Sequence, residues 1–283
     1  MSYSSVISSD ILYQHLDDHD WRIIDCRFNL QAPDQGRGQY AIEHIPNALY
    51  AHLDEDLSSP VTETSGRHPL PDIEKLKAKL GEWGINAQTQ VLAYDDAGGS
   101  YAARLWWLLH WLGHTKVAVL DGGFSIWKKQ GLPTTAERPC VSPTVFTGEP
   151  NNEMLISTDE LQRQLKHYTV CLIDVRDPER FTGKQEPIDK VAGHIPGANN
   201  IPWKHNIDGN SLFLPKGQLY DQYKALLQTR PANEITFMCG SGVTACHSLV
   251  VLAYLGISGA KLYAGSWSEW IRDPARPIMK DNH

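Results

Sequence analysis

The stretch LIDVR at residues 172–176 decides the fold, because the chain repeats it as IIDCR at residues 23–27. Each copy is a short apolar run that ends in Asp-x-Arg, a pattern typical of a buried strand. Four more segments recur in the same order, at separations between 143 and 150 residues. The repeated pairs are VISSDIL (6–12) with LISTDEL (155–161), EHIPNA (43–48) with GHIPGA (193–198), VLAYD (91–95) with ITFMC (235–239), and LDGGFSIW (120–127) with YAGSWSEW (263–270). Five ordered matches predict two tandem copies of one fold.

The segment between the two copies is rich in proline and lacks an apolar periodicity, so it is predicted to be a linker. We therefore predict an N-terminal domain at residues 1–132, a linker at 133–152 and a C-terminal domain at 153–283. Each copy alternates short apolar strands with helices. This alternation predicts an α/β fold, in which a mostly parallel central sheet is covered by helices on both faces.

Composition limits the classes of function. The net charge of −7 argues against a nucleic-acid or anionic-membrane surface, and no apolar run approaches the ~20 residues of a membrane span. The first residues lack the pattern of a secretory signal peptide. The five cysteines are widely spaced and form neither a Cys-x-x-Cys pair nor a Cys/His cluster, so we expect no metal site and a reducing, cytoplasmic setting.

The loop CGSGVT at residues 239–244 is the candidate catalytic site. It follows the predicted strand at 234–238 and precedes an apolar helix predicted from Ala245 to about Tyr254. In parallel sheets, ligands bind at the carboxyl ends of strands. Two glycines let the backbone fold tightly, so that its N–H groups and the helix N-terminus stabilise a thiolate or a persulfide. Cys239 is therefore the predicted nucleophile, and the other four cysteines are predicted to be structural.

The N-terminal copy provides an internal comparison, because Asp95 stands where the C-terminal copy has Cys239. The loop that begins at Asp95 is acidic and is expected to repel an anion. We therefore predict one active and one inactive copy, with the active site at the domain interface.

These motifs together resemble the tandem-rhodanese sulfurtransferases along nearly the whole chain. HIPNA (44–48) and HIPGA (194–198) resemble the first family signature, with Asn47 in place of the usual glycine. The segment at 263–270 resembles the C-terminal signature. The histidines and tryptophans of these signatures are interpreted as structural.

The residues after Cys239 discriminate among sulfur donors within the family. Thiosulfate sulfurtransferases carry Arg and Lys there, whereas this chain has Gly240 and Ser241, which is similar to the 3-mercaptopyruvate sulfurtransferases. The resemblance implies 3-mercaptopyruvate as donor, a Cys239 persulfide, release of pyruvate, and thioredoxin, a small thiol or cyanide as acceptor. It implies no metal or organic cofactor.

The resemblance also implies the residues around the nucleophile. The carboxylate of the donor is expected to bind Arg180, with Lys190 in place of a second family arginine. Ser241, His68 and Asp54 match a Ser/His/Asp arrangement that relays a proton or stabilises the leaving enolate. The remaining predicted substrate-binding residues belong to the catalytic loop: Gly240, Gly242, Val243 and Thr244.

Three other functions remain open at this stage. A thiosulfate sulfurtransferase is the alternative within the family. A Cys-dependent phosphatase needs an arginine at the end of the Cys loop, where this chain has Thr244-Ala245-Cys246. A non-catalytic sulfur carrier is the third alternative, although degenerate domains of that kind usually lack the cysteine.

Overall fold

The computed structural model describes residues 2–281, and among them no helix is both long and apolar enough to cross a membrane. The strands are β1 Val6–Ile7, β2 Trp21–Asp25, β3 Ala48–Tyr50, β4 Gln90–Tyr94, β5 Val117–Leu120, β6 Cys171–Asp174, β7 Asn199–Asn200, β8 Ile235–Met238 and β9 Lys261–Leu262. The α-helices are α1 Ser9–Gln14, α2 Gln35–Ile42, α3 Ile73–Glu82, α4 Ala102–Trp111, α5 Gly123–Lys129, α6 Thr158–Lys166, α7 Pro178–Thr182, α8 Lys216–Thr229, α9 Ala245–Tyr254 and α10 Ser266–Trp270.

The chain forms two compact units. Unit 1 comprises Met1–Ser59, Leu70–Asn151 and Ile207–Phe213, and unit 2 comprises Pro60–Pro69, Asn152–Asn206 and Leu214–His283. Each unit thus contains one short segment from the other half of the sequence. The domain boundaries predicted from the linker remain a prediction, and their outermost residues, Met1, Asn282 and His283, lie outside the described part of the chain.

Unit 1 contains a five-stranded parallel sheet in the order β1-β5-β4-β2-β3. Its central strand β4 is buried along its whole length. Trp127, Leu12 and Tyr94 belong to a core cluster on this sheet, which removes their apolar surface from water. The predicted parallel α/β architecture is confirmed for this unit.

Unit 2 repeats the arrangement with four parallel strands in the order β7-β6-β8-β9. A single parallel bridge between Leu155 and Leu262 stands where unit 1 pairs β1 with β5. The first helices also match, because Ser8 and Ser157 each accept the amide hydrogen of a residue three positions later. Repeated sequence has therefore produced repeated structure, down to the helix caps.

The Asp-x-Arg ending of β2 and β6 forms a buried ion pair in both units. Arg27 binds Asp25 with N–O distances of 2.6–3.1 Å, and Arg176 binds Asp174 at 2.6–3.0 Å. Each guanidinium also lies over an aromatic ring of the helix that follows the last strand, at 4.1 Å from Phe124 or 4.7 Å from Trp267. The repeated Asp-x-Arg pattern thus links the end of a strand to a helix in each unit.

The signature histidines and tryptophans also have structural contacts. The His194 Nδ1 lies 2.8 Å from the Phe181 carbonyl oxygen, and the two rings stack at 3.8 Å. The indole N–H groups of Trp267 and Trp270 donate to the carbonyls of Val191 and Pro277. These contacts fix α10 and the end of α7, which carries Arg180, so they support the site without forming it.

Candidate functional site

Cys239 occupies the first position after β8, at the carboxyl edge of the sheet in unit 2. Four buried residues form β8, and α9 begins at Ala245, as the sequence predicts. The Cys239 side chain is almost fully buried. Its amide donates to Ser266 Oγ at 3.1 Å, and its carbonyl accepts the Trp267 amide at 3.0 Å. The predicted nucleophile is therefore held by hydrogen bonds between β8 and the start of α10.

The loop after Cys239 turns its backbone toward the sulfur. The Gly242 amide donates to Cys239 Sγ at 3.1 Å, which is the kind of contact that stabilises a thiolate. Gly242 has φ +73°, and a Cβ there would lie 2.2 Å from the Ala264 carbonyl oxygen. Only glycine allows this close approach. Gly242 is thus required both by the turn and by the close contact with the backbone just before α10.

Ser241 and His68 form a direct hydrogen bond in unit 2. His68 belongs to the segment Pro60–Pro69, and its Nδ1 lies 2.7 Å from Ser241 Oγ, with both side chains buried. The segment is anchored near α10, because Ser268 Oγ accepts the Arg67 amide at 3.0 Å, while a Cβ at Gly66 would lie 2.7 Å from the Gly265 carbonyl oxygen. This pair can hold or transfer a proton beside the sulfur.

Two guanidinium groups bound the space above Gly240. A Cβ at Gly240 would lie 2.8 Å from Arg67 Nη2, 3.4 Å from Arg180 Nη2 and 3.6 Å from Arg180 Nη1. Arg180 projects from α7, whereas Arg67 comes from the segment Pro60–Pro69. Two planar guanidinium groups on one spot form a strong site for an anion, and a carboxylate can bind each of them bidentately.

The same two arginines are already held by acidic residues. Arg180 Nε donates to both carboxylate oxygens of Glu186 at 3.0 Å, and its Nη2 donates to Asp189 at 3.0 Å. Asp189 also pairs with Arg67 Nη1. Burial raises the pKa of Asp189, and the positive charge of Arg67 partly offsets this rise. Asp189 therefore bridges the two cations that face Gly240.

The sequence did not reveal Arg67 or Asp189 as site residues. The adjacency of Arg67 to His68 was the available signal, since a segment that brings His68 to Ser241 must also bring its neighbour. Lys190, predicted as the second cation, is exposed, and Asp189 beside it is the residue that reaches the guanidinium groups. The role predicted for Lys190 stays a prediction.

Asp54, the predicted third member of the Ser/His/Asp arrangement, lies in unit 1 and is exposed. Its amide donates to His52 Nδ1 at 3.2 Å. Its neighbour Asp56 accepts the His52 amide at 2.8 Å. A catalytic role for Asp54 stays a prediction.

The loop of unit 1 contains an anion site filled by its own side chain. The buried Asp95 carboxylate accepts four backbone N–H groups, at 2.8–2.9 Å. The Phe124 amide donates to the Asp95 carbonyl, as the Trp267 amide does to Cys239. The sequence indicated repulsion of an anion by an acidic loop; the geometry shows instead a loop built to bind an anion and already occupied.

Among the described residues, one group of side chains has the composition of a metal site. Ligand atoms of Asp34, His52 and Glu55 lie within 4.8 Å of one another. His52 Nδ1 accepts two backbone N–H groups and Glu55 pairs with Arg37, while His52 Nε2 is buried and has no hydrogen-bond partner. This group lies in unit 1, whereas Cys239 lies in unit 2.

Comparison with known proteins agrees with the repeat. The family described as "Rhodanese-like domain" matches residues 8–130 and again residues 157–273. A Pseudomonas aeruginosa protein named "Probable 3-mercaptopyruvate sulfurtransferase" is 46% identical over 98% of this chain and 99% of its own length. The thiosulfate sulfurtransferase of Rattus norvegicus is 32% identical over 89% of this chain and 85% of its own.

A solved structure shows the same fold. The 3-mercaptopyruvate sulfurtransferase from Leishmania major superposes with a TM-score of 0.84 and 32% identity, over 94% of this chain and 74% of that one. The likeness therefore extends through both repeats.

Proposed function

Because this chain belongs to the rhodanese-like domain family, as a sulfurtransferase with two tandem domains, we propose that it takes sulfur from 3-mercaptopyruvate through a Cys239 persulfide. One observation carries the proposal. The spot above Gly240 is bounded by two guanidinium groups, and Gly240 lies between the nucleophile Cys239 and the hydrogen-bonded Ser241. A donor with a carboxylate at one end and a sulfur at the other matches this arrangement.

The donor carboxylate binds Arg180 and Arg67 in this proposal. Arg180 Nη1 and Arg67 Nη2 both face the space above Gly240. Gly240 has no side chain to fill this space, and an arginine or lysine there would crowd the guanidinium groups. Asp189 competes with the substrate for the same cations, so substrate binding includes partial release of Asp189. Lys190 attracts the donor carboxylate at long range in this proposal, because its side chain is exposed.

The first half-reaction transfers a neutral sulfur atom. The Cys239 thiolate attacks the substrate sulfur, a sulfur–sulfur bond forms, and the substrate carbon–sulfur bond breaks. The electron pair of that bond goes to carbon and gives the enolate of pyruvate. The proton of the substrate thiol ends on the enolate carbon, and Ser241 with His68 relays it. Pyruvate leaves, and Cys239 carries a persulfide whose outer sulfur is anionic.

The second half-reaction returns the enzyme to its starting state. A thiolate of a small thiol or of thioredoxin, or cyanide, attacks the outer sulfur and releases Cys239 as thiolate. The loop amide of Gly242, which donates to Cys239 Sγ, stabilises the leaving thiolate. A reducing, cytoplasmic setting is part of this proposal, because Cys239 must stay a thiol between turnovers; all five cysteines are free.

A thiosulfate donor is the second candidate, because two guanidinium groups would also hold a dianion. Purified protein is assayed with each donor, and kcat/KM is compared. We expect a higher kcat/KM with 3-mercaptopyruvate. A markedly higher value with thiosulfate would reverse the choice of donor, and retained turnover in Cys239→Ser would reject the mechanism. A missing mass increase of one sulfur on Cys239 would favour a non-catalytic role.

Arginine variants test the carboxylate site. A hydrogen bond to a charged group contributes ~1.5–3 kcal/mol, so Arg67→Ala and Arg180→Ala should each raise KM for 3-mercaptopyruvate by roughly 10–100-fold. Arg163→Ala is the matched control, because Arg163 is an exposed arginine that pairs with Glu160 on α6. Equal KM values in the two site variants and the control would contradict the assignment.

A further inference from the structure

Unit 2 also contains a cavity that lies away from the proposed sulfur-transfer site. Its volume is about 560 Å³, within the range of small-molecule sites in proteins. Cys171, the first residue of β6, lies in its wall. Cys171 pairs with Ile235 at the start of β8, whereas Cys239 follows the end of β8. The cavity therefore lies at the amino edge of the sheet, about 13 Å along the strand direction from the catalytic loop.

The wall of this cavity is apolar, and its charged groups are cationic. Leu165, Pro277 and Met279 supply accessible apolar surface, while Lys166 and Arg230 are the charged lining residues. None of the described residues that line it is an Asp or a Glu. Arg230 pairs with Glu234 at 3.0 Å, and both side chains are about 40% exposed. Lys166 is exposed, at the C-terminal end of α6. The cavity thus combines an apolar body with a net positive rim.

An exposed aromatic ring stands at the cavity mouth. Tyr168 follows the last turn of α6 with φ +56°, a left-handed conformation that usually takes Gly or Asn. Its side chain is 83% exposed and lines the cavity. The left-handed conformation closes α6, because the Tyr168 amide donates to the Leu165 carbonyl at 3.3 Å and the Thr169 amide donates to the Gln164 carbonyl at 3.1 Å. The exposed ring itself packs little of its surface in the core, so it can contact a ligand at the cavity mouth.

We propose that this cavity binds a small apolar molecule with one anionic group, such as an aromatic or short acyl carboxylate. The apolar body lies against Leu165, Pro277 and Met279, with the Tyr168 ring over it. The anionic group faces Lys166 and Arg230. The site takes a ligand of a different class from the sulfur donor, because its wall is apolar.

Binding of 8-anilinonaphthalene-1-sulfonate, an aromatic monoanion, tests the proposal by fluorescence titration of the full-length protein. We expect one saturable site that saturating pyruvate does not displace. Lys166→Glu combined with Arg230→Glu should weaken binding by about tenfold or more, equivalent to ~1.4 kcal/mol. Arg163→Glu, a charge reversal on the same helix outside the cavity, is the control and should change the Kd by less than about twofold. Unchanged binding in the double variant, or displacement by pyruvate, would overturn the proposal.

Tyr168→Gly separates ligand binding from folding. Glycine relieves the left-handed backbone, so the melting temperature should rise or stay constant, while affinity for the probe should fall several-fold. Intact affinity in this variant would contradict the role of the ring.

Alkylation of the native thiols gives a footprint that needs no variant. The probe should slow N-ethylmaleimide modification of Cys171, which is measured by mass spectrometry. Exposed Cys140, which lies in unit 1, serves as the internal control. Its rate of modification should be the same with and without the probe. Equal protection of both thiols, or of neither, would refute binding at this cavity.

Discussion

Replacing Asp95 by asparagine should destabilise unit 1 without touching the nucleophile. The Asp95 carboxylate accepts four buried N–H groups, two on each oxygen. An asparagine retains one acceptor oxygen, so its NH₂ group faces the other two donors. Each buried N–H without an acceptor costs ~1–3 kcal/mol, which gives a loss of ~2–6 kcal/mol in the free energy of unfolding.

The assay is differential scanning calorimetry of the wild type and the variant. A loss of that size should lower the melting temperature of the affected transition by roughly 5 °C or more, at ~2–4 °C per kcal/mol. Asp96→Asn is the matched control. Partial desolvation and the nearby charge of Asp95 raise the pKa of Asp96, whose side chain is exposed, so neutralisation should leave the melting temperature unchanged or slightly higher. A shift of less than about 1 °C in Asp95→Asn would refute the reasoning.

Three further predictions concern the site and the response to pH. Ser241→Ala should lower kcat with 3-mercaptopyruvate by roughly 100-fold and affect thiosulfate less, since sulfite leaves without a proton; equal losses with both donors would contradict the proton relay. Asp189→Asn should lower KM for 3-mercaptopyruvate, because the competing carboxylate is neutralised, and a raised KM would show that Asp189 positions the arginines instead. Burial lowers the pKa of His110 to about 4, so its protonation opposes folding and stability should decline from about pH 6.5 toward pH 4. The decline, followed by urea unfolding, should be shallower in His110→Gln, and equal slopes would exclude this histidine as the cause.

The repeat and the Cys loop could be predicted because both are local patterns. Strand β8, the loop glycines and the start of α9 are adjacent in sequence, and their propensities agree with the final fold. The duplicated alternation of strands and helices then predicted a parallel sheet for each copy. This is why the fold class and the position of the candidate catalytic loop could be predicted without three-dimensional information.

The shell around the nucleophile could be predicted only in part, because it depends on tertiary contacts. Arg67 lies 172 positions before Cys239 in sequence, and its place beside Gly240 depends on the packing of residues 60–69 against α10. The sequence near residue 190 suggested a cation toward the substrate. That role of Lys190 stays a prediction. The inward position of Asp189, which pairs with Arg67 and Arg180, could not be predicted, since an orientation within a short loop has no periodic signature.

The loop amides of the two units have different acceptors: the Asp95 carboxylate accepts four N–H groups in unit 1, and Cys239 Sγ accepts the Gly242 N–H in unit 2. In unit 1 the acceptor is a side chain of the protein itself, so the folding of that unit does not depend on bound sulfur. In the proposed mechanism, the corresponding residue of unit 2, Cys239, changes its charge and its length during each catalytic cycle. The two units should therefore respond differently to sulfur. The melting temperature of unit 2 should change with the fraction of Cys239 that carries a persulfide, while the melting temperature of unit 1 stays constant and serves as an internal reference.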